Sequence, residues 1–247
     1  MIDGVREAAC ALDFGRARSL AETPEEHAWL QAYVANVSGD HARAVMLGSG
    51  IAESGAGPAL AGAALVTTGS ALRHMGRHRE ARIHDERARD VAGSDAERLA
   101  ALVGLAADAV GLAEPGDAAA LAAEAAGLLR ARDKRGAIRL AWVEAEVALM
   151  GDDHRAAVTA SLGALAVSGS LRWRRHVAKS MLFLGASFDA ARSDEADRWL
   201  VGARDEALNA GALPIAEHAL ALLNRRGVRV PPAGVPIPAD TMERRWT

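Results

Sequence analysis

The sequence predicts an all-α protein: a solenoid of stacked antiparallel helix pairs with an extended proline-rich C-terminal tail. Three observations carry that prediction. The apolar half of the 247 residues is mainly Ala, Leu and Val, with only 4% aromatic residues, and Ala and Leu are the strong helix formers. Turn signals recur at Ser38-Gly39-Asp40, Met75-Gly76-Arg77, Glu114-Pro115-Gly116-Asp117 and Met150-Gly151-Asp152-Asp153, with glycines 37, 40 and 35 residues apart. Between turns, apolar residues fall at helical spacing, as at Leu140, Val143 and Val147, and strand-type alternation is absent before Val228. One short turn per period of this length marks helical hairpins. Each is too small to bury its own apolar face, so neighbours stack into a shared core.

The elements follow in order. A short unit at 4–21 opens the chain. The first helices of five hairpins are predicted near 25–37, 58–75, 95–112, 136–149 and 172–188, and their partners near 41–53, 78–91, 117–131, 153–167 and 194–209. Thr23-Pro24, Ser94-Asp95, Asp117 and Ser193-Asp194 offer acceptors or a preset φ for helix starts. A fifth turn near Ala191 to Asp194 keeps the interval without its glycine. A last helix from Ala212 to Arg225 caps the array, so 1–226 form one repeat domain of five to six hairpins. Pro231, Pro232, Pro236 and Pro238 then deny helix to a tail at 227–247. That tail carries Val228, Val230, Val235, Ile237 and Trp246, and residues 228–246 are predicted to pack back onto the solenoid.

The stretch from Pro58 to Met150, and more loosely Asp3 to Asn224, resembles a tetratricopeptide-repeat protein. In the unit from Gly62 to Gly93, small residues recur at Gly69, Gly76, Ala81 and Ala88, at intervals of 7, 5 and 7. Turn residue and following alanine repeat as Gly39 with Ala44, Gly76 with Ala81, Gly151 with Ala156 and Ala191 with Ala196, while Gly116 pairs with Leu121. The family's bulky aromatic positions are mostly Ala, Leu or Val here, and its hairpin-closing proline is absent. The resemblance implies a right-handed solenoid whose first helices line a concave groove that binds protein or peptide. The Lys, Asn and Arg that grip acidic chaperone tails in that family are replaced by Ala63, Val66, Thr67 and Ser70, so that recognition is not expected.

Composition excludes several classes. A net charge of −3 excludes a strongly basic nucleic-acid coat, and the single Cys10 excludes a disulfide framework. Cys10 reads as a buried inert thiol. Residues Ser54 to Leu72 carry no formal charge, but their glycines and few bulky side chains point to a helix buried between neighbours rather than a membrane span. The start of the chain lacks the apolar run of a secretory signal, so a cytoplasmic protein is expected. Arg in place of Lys, with abundant Ala and Gly, suggests a bacterial source. The glycines Gly48, Gly50, Gly55 and Gly57 read as an inter-repeat loop, not a phosphate cradle. His74, His78 and His84 lack a supporting ligand cluster, so neither metal nor cofactor is expected, and no catalytic motif is present. The run Arg77, Glu80, Arg82, Asp85, Glu86 and Arg89 reads as a solvated, ion-paired helix face.

Charge is segregated along the chain. From Arg98 to Arg130 the intervening charges are Asp108, Glu114, Asp117 and Glu124; between Asp153 and Asp189 they are Arg155, Arg172, Arg174, Arg175 and Lys179. Arg172, Trp173, Arg174 and Arg175 combine stacking with positive charge at a helix start. The preceding repeat adds Lys134, Arg135 and Arg139, with Trp142 one turn on. Lys179 completes this candidate binding set. Trp142 and Trp173 are alternatively stacking core residues. The expected function is a non-catalytic scaffold holding an acidic protein or peptide segment in the groove, its polarity set by 134–179. Nucleic acid is a less suited partner, membrane is not expected, and a homo-oligomer is open. The alternative is a regulatory or sensor module binding a small anionic ligand, or nucleic acid, at that basic end. A long open groove favours the first, and a closed pocket with buried charges favours the second.

Overall fold

The computed structural model describes residues 2–230. Among them run thirteen α-helices: α1 Ile2–Cys10, α2 Phe14–Leu20, α3 Pro24–Ser38, α4 His41–Glu53, α5 Pro58–His74, α6 His78–Asp90, α7 Asp95–Gly111, α8 Pro115–Leu128, α9 Lys134–Met150, α10 His154–Ser170, α11 Arg174–Ala190, α12 Glu195–Asn209 and α13 Leu213–Arg225. Each helix packs on its neighbours in sequence, and each odd-numbered helix from α3 onward also packs on the next odd one. The odd helices therefore form an inner wall and the even ones an outer layer. Most of the predicted tail, 231–247 with Trp246, lies outside the described residues. Its first apolar residues, Val228 and Val230, do rest against the main core cluster.

Helix starts are set by side-chain caps. Thr23 forms a full capping box with Glu26, and Ser94 accepts from the Glu97 amide. Asp13, Asp40, Asp133 and Asp153 do the same for Arg16, Arg43, Gly136 and Ala156, which satisfies first-turn amides that otherwise lack partners. Asp117 lies inside the first turn of α8, which starts instead at Pro115.

The repeat register differs from the glycine spacing. The left-handed residues in the turns within the five hairpins are Gly39, Gly76, Ala113, Asp152 and Arg192, so Gly116 and Gly151 are not the residues that bend the chain there. From these positions, the buried alanines Ala44, Ala81, Ala118 and Ala157 each fall five residues on, and Ala196 falls four residues on. Ala156, the expected partner of Gly151, is exposed. Seven residues before each turn lie Ala32, Gly69, Ala106, Ala145 and Gly185, all buried small residues that let inner and outer helices approach. Gly48 belongs to α4 rather than to a loop. A Cβ there would stand 2.2 Å from the Thr68 hydroxyl.

Non-glycine residues in the left-handed region cost about 1–2 kcal/mol each, more than the roughly 0.5–1 kcal/mol that glycine loses in chain entropy. Ala113→Gly, at an exposed turn, is therefore expected to raise stability by about 0.5–1 kcal/mol. Urea midpoints check this, and a lowered midpoint would contradict it.

The array does not stay open. α13 packs on α3, and Pro214 lies against Gly39 at the C-terminal end of α3. One continuous apolar cluster joins Trp29, Tyr33 and Val37 of α3 to Leu182 of α11 and to Ile215 and Leu222 of α13. α1 packs on α2 and α3, and its last residue reaches the start of α9 and α11. Its Cys10 is buried beside Ile138, Trp142 and Trp173, and the Tyr33 hydroxyl is 3.8 Å from Cys10 Sγ. At the other terminus Arg226 pairs with Asp189 and Asp197 and donates to the Ser193 carbonyl, holding the end of α13 onto α11 and α12.

Candidate functional site

The inner helices line a cavity of about 480 Å³ that stays partly open to solvent. All six inner helices from α3 to α13 contribute to its wall, so the concave face predicted as a groove is a deep, partly open chamber. Repeat geometry sets its lining. Positions one repeat apart take equivalent places: Arg135 with Arg175, and Arg139 with Lys179, 40 residues apart in each case. Consequently α9 and α11 present four cationic side chains to the chamber. Glu146 is the one carboxylate among its described lining residues.

These cations are not neutralised. No ion pair is formed by Arg135, Arg139, Arg175 or Lys179 among the described residues. Arg139 Nη1 and Arg175 Nε are buried without hydrogen-bond partners. Lys179 Nζ stands 4.6 Å from the Trp142 ring centroid and 5.6 Å from that of Phe183, a cation–π contact rather than a salt bridge. Burial, then Arg175, draws the Lys179 ammonium down to about 7, with Glu146 opposing. Burial, then Arg135 and Arg73, draws Arg139 down to about 9. His176 lies among all four cations and is held neutral, by burial first and then by Arg175. Burial pushes Glu146 up, against the pull of Lys179. The α7 side is aliphatic, with Val103, Ala107 and Val110, whereas α3 and α5 set Val37 and Val66 beside Asn36, Thr67, Ser70, Arg73 and His74.

The sequence-predicted residues divide. Arg135, Arg139, Trp142, Arg175 and Lys179 converge on the chamber. Lys134, Arg172 and Arg174 do not: all three are exposed, Arg172 as a left-handed turn residue, and Arg174 is tied to Glu206 at 2.7 Å. Both tryptophans are core residues. Trp173 is 7% exposed and Trp142 5% exposed, and the Trp142 indole N–H donates to Ser180 at 3.0 Å. Trp29 makes the equivalent bond to Thr67 at 3.1 Å three repeats earlier, so this is a stacking device of the array.

The residue reading missed a buried cluster beside the chamber. Arg73, at the end of α5, donates to Asp85 of α6, to Asp108 of α7 at 3.0 Å and to the Gly104 carbonyl at 3.3 Å. Asp85 was expected on a solvated face, yet both carboxylates are fully buried. Only part of that face behaves as expected: Arg77 pairs with Glu80, and Arg82 reaches across to Glu114. Room for Asp85 comes from two glycines. A Cβ on Gly69 or Gly104 would stand 2.6 or 2.5 Å from its carboxylate. Burial raises both carboxyls, and Asp85 helps push Asp108 up to about 7. At the same end His74 stacks on His41 with centroids 4.8 Å apart, and burial, then Lys179, holds its imidazole neutral, down to about 2.

No group of three or more His, Cys, Asp or Glu side chains converges as a metal site among the described residues. No described helix is long and apolar enough to cross a membrane. Neither a family model nor a curated protein matches the chain.

Proposed function

We propose that this protein is a non-catalytic receptor for a small organic anion, held in the central chamber as the input of a regulatory or sensing module. One observation carries the reading: four cationic side chains of α9 and α11 face one cavity with a single carboxylate in its lining, and two of their buried donors lack a partner. Buried donors without acceptors and charges without counter-ions are costly to hold. A bound oxyanion supplies both. The chamber's volume lies in the range of small-molecule sites. An extended peptide, by contrast, is suited by a long groove, and here α13 meets α3, which favours a compact ligand.

The test is native mass spectrometry of the full chain incubated with a metabolite extract, followed by identification of what denaturation releases. A low-molecular-mass anion bound to the wild type and absent from the Arg139→Gln, Arg175→Gln double variant is expected. Circular dichroism of the variant must show the helical fold retained. Release of only neutral or cationic species, or equal loading of the variant, contradicts the reading.

A further inference from the structure

Resting on the anion-receptor reading, the chamber's two-walled chemistry narrows the ligand further. We infer that the ligand is a phosphate monoester with a compact aliphatic body, the phosphate on the α9 and α11 wall and the aliphatic part against α7 and Val66.

Charge balance argues for the dianion. Arg135, Arg139, Arg175 and Lys179 face one carboxylate, Glu146. A monocarboxylate leaves most of that positive charge uncompensated. A phosphate monoester carries close to two negative charges at neutral pH. Shape argues the same way. The cations arrive from two helices at equivalent positions one repeat apart, so their donors converge from different directions. A carboxylate offers two oxygens in one plane. A phosphate offers three terminal oxygens in a tetrahedral spread, and guanidinium forks match it well. The mutual depression of Lys179, Arg139 and His176 by the same set of cations agrees with their pointing at one volume.

The α7 side sets the rest of the molecule. Val103, Ala107 and Val110, with Val66 beside them, present aliphatic carbon and no charge. Trp142 is already covered by Lys179 on one side and packed into the core, so it offers no free ring face. That side therefore fits a branched or linear aliphatic body.

The experiment is isothermal titration of the full chain with four probes at pH 7.5: hexyl phosphate, hexyl sulfate, hexanoate and inorganic phosphate. Hexyl sulfate keeps the tetrahedral head but carries one charge. Hexyl phosphate is expected to bind at least tenfold more tightly than each of the other three. Val66→Thr with Val110→Thr, which keeps shape and adds polarity, is expected to weaken hexyl phosphate several-fold and leave inorganic phosphate unchanged. Circular dichroism and melting confirm that this variant folds. Hexyl sulfate or hexanoate binding as tightly as hexyl phosphate overturns the monoester while leaving the anion receptor standing. Inorganic phosphate binding as tightly as hexyl phosphate overturns the aliphatic part. Failure of all four probes to bind overturns the monoester, and the metabolite experiment then decides the receptor reading separately.

Discussion

Arg73→Met is expected to lower stability by about 3–5 kcal/mol, the cost of leaving buried charge without its partner. The guanidinium ties three helices together through Asp85, Asp108 and the Gly104 carbonyl. Its loss leaves two carboxyl groups in a dry site whose glycine walls offer no other donor. Asp108→Asn tests the same cluster with the opposite sign. The Asp108 carboxyl is raised from 3.8 to about 7 in the folded protein. The native state therefore holds a proton that the unfolded chain has released across that window. By linkage, the stability this group confers is complete below about pH 4 and is lost as pH rises through about 7. Asparagine mimics the protonated carboxyl, so the variant should match the wild type near pH 4 and exceed it near pH 8. Urea midpoints from pH 4 to 8 measure both effects. A cost below about 1 kcal/mol for Arg73→Met would mean that water reaches the cluster and that it is not the buried tie the geometry describes.

The same cluster shows where the sequence was legible and where it was not. Period and composition located the helices, because burial of small residues every repeat leaves a strong pattern: Ala44, Ala81 and Ala88 are all buried as their spacing required. Turn glycine was a poorer guide. Ala113, Asp152 and Arg192 adopt the left-handed conformation without being glycine, since packing on both sides outweighs about 1–2 kcal/mol of local strain. Asp85 misled because its neighbours are charged and exposed. Its helical spacing from Ala81 and Ala88 places it on the buried face, a signal that was available in the sequence. Asp108 likewise sits between Leu105 and Ala109 on a buried face. Its partner Arg73 is 35 residues away, and nothing local predicts that pairing. Ring closure was not legible at all. It depends on the summed rotation of successive hairpins, which no single repeat encodes, and it turned a predicted groove into a chamber. Arg135 and Arg175 face the chamber whereas Lys134 and Arg174, one residue earlier, face solvent; a helix turn of about 100° separates adjacent side chains.

Lys179→Met is expected to flatten the rise in stability that the unliganded protein shows from pH 7 to about 10, and to weaken anion binding at least tenfold. Lys179 is drawn from 10.5 down to about 7 in the folded state. Between those values the unfolded chain keeps a proton that the native chain has released. Stability therefore rises with pH across this window, because the unfolded state binds more protons there. Below pH 7 the Lys179 penalty is present in full; there His74 and His176, held neutral in the fold, make stability rise with pH while Asp108 makes it fall. The methionine variant keeps most of the lysine stem's packing on Trp142 and Phe183 and discards the charge. Its gain at pH 7 should be about 1–2 kcal/mol after discounting for water in the chamber. Arg139→Met should act in the same direction, because burial and two neighbouring arginines disfavour its charge as well. A protein that becomes more stable as it loses its ligand is one whose binding charges are held against the fold. Saturating anion should accordingly raise the wild-type melting temperature most near pH 7 and the methionine variant's hardly at all. Denaturation midpoints between pH 5 and 10, with and without hexyl phosphate, decide the matter. A wild-type stability that does not rise from pH 7 to 10, or a destabilised Lys179→Met, would show that these cations already have counter-charges and that the chamber is not built to receive one.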